Sequence, residues 1–240
     1  MRGFSLSAAR TWFSAAVCRF LKMKRSRWNR AGATTWPGIG AGATMDTAVD
    51  GVLLAAGLSS RTGTFKMEAL LAGKPLLEWS LETLAAVCER IIVVAGFAAE
   101  KVRRLAAGRP GVEVTVNEHY VLGMLSSIQT GIRLVRAPRF FLLPGDMPMV
   151  KTEVYRQLLS CGAEIAVPAH RGRRGHPVLI SSRLIPEILA EPAVSSLGRF
   201  IALRTAETID VDDPGILADL DDQADMKKMD ALLRARGKNE

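Results

Sequence analysis

Cysteine is scarce in this chain. Its 240 residues hold three, Cys18, Cys88 and Cys161, far apart and without a CxxC pair. That spacing excludes a disulfide framework and gives no zinc site. It suits a reducing compartment and leaves each thiol as a small, buried, apolar side chain. Long apolar runs are missing as well. The stretch from Thr11 to Cys18 is cut off by Arg10 and Arg19 at eight residues, whereas a membrane-spanning helix needs about 18 or more. A membrane span and a secretory signal are therefore not expected. Acids are absent from residues 1–45, which carry Arg2, Arg10, Arg19, Lys22, Lys24, Arg25, Arg27 and Arg30.

Those eight cations account for the whole excess of 32 Lys+Arg over 24 Asp+Glu, so the body from Asp46 onward is formally neutral. Residues 1–45 read as a basic, disordered leader, and three origins stay open. It resembles an organelle transit peptide in composition; it could be a basic arm; or translation could begin at Met45. The segment Ala31 to Thr44, AGATTWPGIGAGAT, has the small, glycine- and proline-broken character of a linker. Eight cations without interleaved aromatics give only salt-sensitive, non-specific nucleic-acid binding, so no specific nucleic-acid partner is expected. Residues 46–240 are expected to form one cytoplasmic domain, a length that supports a sizeable core.

Within that body, short apolar runs alternate with helix-period segments. The runs are Val52–Ala55, Ile91–Ala95, Val112–Val116, Phe140–Leu143, Ile165–Pro168, Val178–Ser181 and Thr208–Val211. The first, second and fourth are continuously apolar, as parallel strands covered on both faces must be. Between them, Leu77, Leu81, Leu84 and Cys88 form one helical stripe behind Pro75, and Leu125, Ile128, Ile132 and Val135 a second. Val102, Leu105 and Ala106 suggest a shorter third. A C-terminal helix is expected to open at Asp213-Pro214, an acceptor side chain before a proline. The alternation predicts a Rossmann-like, three-layer α/β/α fold with a mostly parallel sheet.

Ligands of such sheets bind beyond the carboxyl ends of the strands. After the first strand comes AAGLSSRTGTFK, Ala55 to Lys66. Neither a Walker A motif nor GxGxxG is present in it. Its small residues let backbone approach a ligand closely, its amides and hydroxyls can donate to an anion, and Arg61 and Lys66 suit phosphate. The fourth strand ends in Pro144-Gly145-Asp146, where one carboxylate faces the loop; magnesium commonly takes one or two carboxylates together with substrate phosphates. The last strand leads to Asp210, Asp212 and Asp213, with Asp212 able to serve as a second metal ligand and Asp213 as a helix cap. After the third strand, Asn117, Gly123, Ser126 and Ser127 mark a helix start with hydroxyls, a ready anion or ribose site. Arg173-Arg174-Gly175-His176 precede the sixth strand as a polar loop. His119 and His170 have no metal-ligand spacing near them and read as surface residues.

These motifs in this order resemble the nucleotidyltransferases of the molybdenum-cofactor type. The pattern LAAGxSSRMGxxK is matched by Leu54 to Lys66, GKPLL by Gly73 to Leu77, and N-x4-5-G-x-x-x-S by Asn117, Gly123 and Ser127. GDMP is matched by Gly145 to Pro148, GHPxL by Gly175 to Leu179, and the closing DxDTP by Asp210, Asp212 and Pro214. Thr62, Glu68 and Leu70 depart from the pattern. The Ala55-Ala56-Gly57 form and the GHP motif are closer to the cytidylyltransferases of the group than to the guanylyltransferases. The resemblance implies transfer of CMP from CTP to molybdopterin with release of pyrophosphate and a need for Mg2+. It further implies that Ala55, Ala56, Gly57, Ser59, Ser60, Arg61, Lys66, Asn117, Gly123 and Ser127 hold the nucleotide. Gly175, His176 and Pro177 would meet the acceptor, Asp146 and Asp212 would hold the metal, and Arg61, Lys66 and Asp146 would carry the chemistry. A recipient molybdenum enzyme would take the product. The alternatives are a guanylyl- or sugar-phosphate nucleotidyltransferase, or a non-catalytic molybdopterin carrier.

Overall fold

A computed structural model describes residues 48–57, 65–220 and 223–236. The basic leader and its boundary near residue 45 lie outside the described residues, as do Ser59, Ser60 and Arg61. In chain order the elements are β1 (Val49–Ala55), β2 (Leu70–Leu71), β3 (Lys74–Pro75), α1 (Leu76–Ala85), β4 (Arg90–Ala95), α2 (Ala99–Ala106), β5 (Val112–Val116) and α3 (Met124–Ile132). There follow β6 (Arg139–Pro144), α4 (Thr152–Leu159), β7 (Ile165–His170), β8 (Arg173–Arg174), β9 (Val178–Ser181), α5 (Ile185–Ala190), α6 (Leu197–Ala202), β10 (Glu207–Asp210) and α7 (Gln223–Arg236).

The main sheet has the order β10-β7-β9-β6-β1-β4-β5, with β8 paired to β7. The pairs β1–β4, β1–β6, β4–β5 and β7–β10 are parallel, while β9 runs antiparallel between β6 and β7. Alternation along the strands splits the apolar residues between two cores, one per face. Leu53, Ile91, Val93, Phe141 and Leu143 pack with Leu77, Leu81 and Leu84 of α1 and with Tyr155 and Leu158 of α4. Val52, Leu54, Ile92, Val94, Phe140 and Leu142 pack with Leu125, Ile128 and Ile132 of α3 and Phe200 of α6. The expected three-layer architecture and mostly parallel sheet are therefore present, with each expected strand in place.

Two expectations need correction. Asp213-Pro214 opens a single 3-10 turn, Pro214–Leu217, and α7 begins only at Gln223. The turn ends at Ala218, whose φ of −97° and ψ of 76° leave the helical region, and the Ile216 carbonyl accepts from the His176 amide at 3.0 Å. His170 is not a surface residue. Its side chain is 12% exposed, and its Nδ1 lies 3.0 Å from the Val211 carbonyl oxygen, so that nitrogen carries the proton. The β2–β3 hairpin was not anticipated. Its turn, Ala72-Gly73, has φ of 50° and 84°, and the Ala72 amide donates to Asp230 Oδ1 of α7 at 2.7 Å.

Candidate active site

Parallel strands β1, β4, β5 and β6 present their carboxyl ends on one edge of the sheet, and the predicted loops gather there. Ala55 and Ala56 are buried and Gly57 is exposed, so the backbone emerges from the core at that glycine. The chain is described again from Phe65, and Lys66 opens a 3-10 turn, Lys66–Glu68. Lys66 Nζ lies 3.0 Å from Asp146 Oδ2, joining residues 80 apart in sequence. Their side chains are 18% and 25% exposed, so the pair is screened from bulk water yet open to a ligand.

Neighbouring backbone fixes this pair. The Gly145 amide donates to the Leu54 carbonyl at 2.8 Å, which ties the end of β6 to the end of β1. Ser80 of α1, fully buried, donates through Oγ to the Gly145 carbonyl at 3.0 Å. Ser80 was missed by the sequence reading; its signal was a hydroxyl on the face shared by Leu77, Leu81 and Leu84. On the other side, Glu68 accepts from Lys101 Nζ of α2 at 2.5 Å, and the same ammonium stands 5.9 Å from the centroid of the Phe65 ring. Glu68, a departure from the resembling pattern, thus anchors the turn that carries Lys66.

Asn117, Ser126 and Ser127 are brought together. Asn117 Nδ2 donates to Ser126 Oγ at 2.8 Å and to Ser127 Oγ at 3.0 Å, and its Oδ1 accepts from the His119 amide. All three side chains are buried, and Gly123, at φ 109°, precedes α3 in the open. The cluster fixes the start of α3 and leaves the exposed backbone at Gly123 facing solvent.

Gly175, His176 and Pro177 pack against the 3-10 turn after β10. The Gly175 amide donates to Pro168 and the His176 amide to Ile216, and a cis peptide joins His176 to Pro177. His176 Nδ1 is buried without a hydrogen-bond partner. Burial lowers the imidazole pKa from its ordinary 6.5, and the nearby Asp146 charge opposes that shift. With a depressed folded value, the unfolded chain binds more protons than the folded one below pH 6.5. Stability should therefore be full above that pH and fall as acid is added through the folded value. Urea midpoints measured from pH 7.5 to 5 should show a shallower slope for His176→Phe than for the wild type; equal slopes would assign the acid loss to other groups.

Asp212 follows β10, three strand positions from β6. Its side chain is fully exposed, and its carboxylate is 4.0 Å from His170 Nδ1. Asp213 is instead buried and structural, accepting from the Lys151 and Gly215 amides at 2.8 and 2.9 Å. Among the described residues no group of three or more His, Cys, Asp and Glu side chains could hold a metal unaided. Asp146, partly exposed beside Lys66, has the chemistry of a carboxylate whose metal takes its remaining ligands from water and substrate phosphates.

Comparison with known proteins bears on this edge of the sheet. The family model described as the MobA-like NTP transferase domain matches residues 51–208. The molybdenum cofactor cytidylyltransferase of Escherichia coli strain K12 is 28% identical over 176 residues, covering 73% of this chain and 92% of that one. The crystal structure of Rv0371c from Mycobacterium tuberculosis H37Rv is 25% identical with a TM-score of 0.68, covering 77% of this chain and 99% of that one. A structure of Rv0371c in complex with manganese superposes with a TM-score of 0.63 at 23% identity, covering 76% and 97%. Among the described residues no helix is long and apolar enough to cross a membrane. The family match runs from β1 into β10 and takes in every strand of the main sheet, so the chain belongs to the MobA-like NTP transferase family and is a nucleotidyltransferase.

Proposed function

We infer that the protein transfers CMP from CTP to molybdopterin, forming the cytosine dinucleotide and pyrophosphate with Mg2+. The observation that carries this reading is the Lys66–Asp146 pair at 3.0 Å, which sets a cation from the loop after β1 against a carboxylate from the end of β6. Both reactants are anionic, so the barrier is largely charge repulsion and positioning. A terminal phosphate oxygen of molybdopterin attacks the α-phosphorus in line, the bond to the β-phosphate oxygen breaks, and pyrophosphate leaves.

Each residue then has a role. The backbone of Ala55, Ala56 and Gly57, with Ser59, Ser60 and Arg61, cradles the nucleotide. Lys66 and Arg61 neutralise charge gathering on the leaving phosphates. Asn117 and Ser127 hold the start of α3 so that Gly123 can meet the nucleoside. Gly175, His176 and Pro177 border the acceptor. Asp146 and Asp212 would hold Mg2+, which when bound acts as Lewis acid and template for the phosphates; Asp146 is the ligand on which the reading rests. The two alanines before Gly57, together with the E. coli cytidylyltransferase relative, favour CTP over GTP. The product is handed to a recipient molybdenum enzyme in the cytoplasm.

Pyrophosphate release with Mg2+ and each of CTP, GTP, ATP and UTP, with and without molybdopterin, tests this. Release with CTP that requires molybdopterin is expected. Release with GTP alone would transfer the site to guanylyl chemistry, and binding of molybdopterin without release from any nucleotide would make the protein a carrier. Lys66→Ala should raise KM for CTP roughly tenfold to a hundredfold, the value of one charge-assisted contact, with a smaller change in kcat. An unchanged KM would remove Lys66 from the nucleotide.

A further inference from the structure

Ser80 lies in the middle of α1, on the buried face that it shares with Leu76, Leu77, Leu81 and Leu84. A hydroxyl in such a place costs free energy unless it is hydrogen-bonded, and packing alone asks for an apolar side chain there. Within a helix a serine commonly bonds back to the carbonyl four residues earlier, here that of Leu76. Ser80 does not. Its Oγ donates at 3.0 Å to the carbonyl of Gly145, 65 residues away. That carbonyl belongs to the peptide leading into Asp146. The same glycine is held from its other side, where its amide donates to the Leu54 carbonyl at 2.8 Å. A Cβ on it would stand 2.9 Å from the Leu54 oxygen and 3.2 Å from Met67 Sδ. A peptide is planar, so fixing the Gly145 carbonyl fixes the Asp146 nitrogen and Cα with it. From that backbone the Asp146 carboxylate reaches Lys66 Nζ at 3.0 Å.

A second layer supports Ser80. Thr83, one turn on, donates through Oγ1 to the Ser80 carbonyl at 3.0 Å. The Tyr155 hydroxyl of α4 lies 3.5 Å from that Thr83 oxygen. Thr83 gives its one hydroxyl proton to Ser80, so Tyr155 is the donor between them. Burial pushes the Tyr155 phenol pKa up, which keeps that proton in place. Tyr155 is itself fully buried and meets the Phe141 ring of β6 edge-on, with centroids 5.0 Å apart. A buried chain of polar groups thus runs from α4 through α1 and ends on the Gly145–Asp146 peptide.

We propose that Ser80 is a positioning residue of the reaction: through the Gly145 carbonyl it sets the direction of the Asp146 carboxylate. The proposal rests on the reading that Asp146 takes part in the transfer, and it adds what aims that carboxylate. Reacting geometry tolerates little error, since a displacement of about 1 Å can cost on the order of 100-fold in rate. Without the Ser80 bond the Gly145–Asp146 peptide is free to rock. Lys66 keeps its place, because its turn is held separately by the bond from Lys101 to Glu68. The effect therefore falls on turnover and not on nucleotide affinity.

The test compares Ser80→Ala, Ser80→Cys, Leu84→Ala, Asp146→Asn and the double variant Ser80→Ala/Asp146→Asn in the full-length protein. Pyrophosphate release from CTP with molybdopterin gives kcat and KM, and thermal melts give stability. Electron paramagnetic resonance of protein-bound Mn2+, with CTP and without molybdopterin, reports on the carboxylate apart from turnover. Ser80→Ala should lower kcat about tenfold to 100-fold and weaken Mn2+ binding severalfold, with KM for CTP changed less than about threefold. Ser80→Cys, a weaker donor of similar size, should fall between. Leu84→Ala, at a fully buried position of the same helix, should melt lower than Ser80→Ala and keep its kcat. In the Asp146→Asn background, Ser80→Ala should cost less than about a further twofold, because the two act as one unit. A Ser80→Ala variant as fast as the wild type beside a slow Asp146→Asn would overturn the proposal and leave the role of Asp146 standing. Equal losses of kcat in Ser80→Ala and Leu84→Ala would overturn it too, as would losses that multiply in full in the double variant. An Asp146→Asn variant that turns over like the wild type would refute the underlying reading, and the proposal with it.

Discussion

Asp146→Asn should lower CTP- and molybdopterin-dependent pyrophosphate release by about 100- to 1,000-fold, the scale on which one preorganised electrostatic group acts in a transition state. The fold should survive. An asparagine is the same size, and its amide oxygen can still accept from Lys66 Nζ, which stands 3.0 Å from the Asp146 carboxylate. The structural work at this corner is done by Gly145 and Ser80, through bonds to the Leu54 and Gly145 carbonyls. The measurement is steady-state release over a range of Mg2+ concentrations, beside a thermal melt. Turnover within a fewfold of wild type would take Asp146 out of the chemistry. A collapse of the melting temperature would show instead that the carboxylate is structural.

Gly175→Ala should have the largest effect on stability. A Cβ at this position would sit 2.1 Å from the Ile216 carbonyl oxygen and 2.8 Å from its carbon. Those are backbone atoms of a tight turn and cannot rotate away as a side-chain tip would. Overpacking costs about 1–3 kcal/mol, and this contact belongs at the upper end of that range. For a domain of this size each kcal/mol lowers the melting temperature by about 2–4 °C, giving a drop of roughly 6–12 °C. The shift should also part the acceptor loop from the 3-10 turn and raise KM for molybdopterin more than KM for CTP. Gly162→Ala is the control, since its Cβ would meet nothing within 4 Å. An unchanged melting temperature for Gly175→Ala would mean that the two segments separate without cost.

The core was legible because period-2 alternation and apolar runs leave few alternatives. Val52 and Leu53, adjacent in sequence, enter opposite cores, as a doubly covered strand requires. The approach of Lys66 to Asp146 was legible too, since ligand loops of parallel sheets gather at one edge. Other features depended on partners distant in sequence. Asp50 interrupts an apolar strand, and nothing local shows that its carboxylate would accept from the Arg136 and Ala137 amides and pair with Arg90. The β2–β3 hairpin has two-residue strands, too short for any periodicity. The hydroxyls of Ser126 and Ser127 were recognised as a helix start, but not that Asn117 would donate to both. The exposure of the Asp212 side chain was not legible for a geometric reason: the β7–β10 register ends at Asp210 opposite Ala169, so strand pairing does not fix the carboxylate two residues later.

The clamp between α7 and the β2–β3 hairpin has a consequence for synthesis. Ala72 sits in a strained turn a few residues beyond Lys66, and the carboxylate that takes its amide proton, Asp230, comes 158 residues later. At translation rates of about 5–20 residues per second, the hairpin waits roughly 8–30 s for its cap. Met229 and Leu233, which flank Asp230 on the same helix, complete one of the two cores. The β2–β3 hairpin thus leaves the ribosome well before the helix that completes its packing. In that interval its apolar face is open to chaperones, and a chain ended before residue 230 would leave the Ala72 amide without its carboxylate.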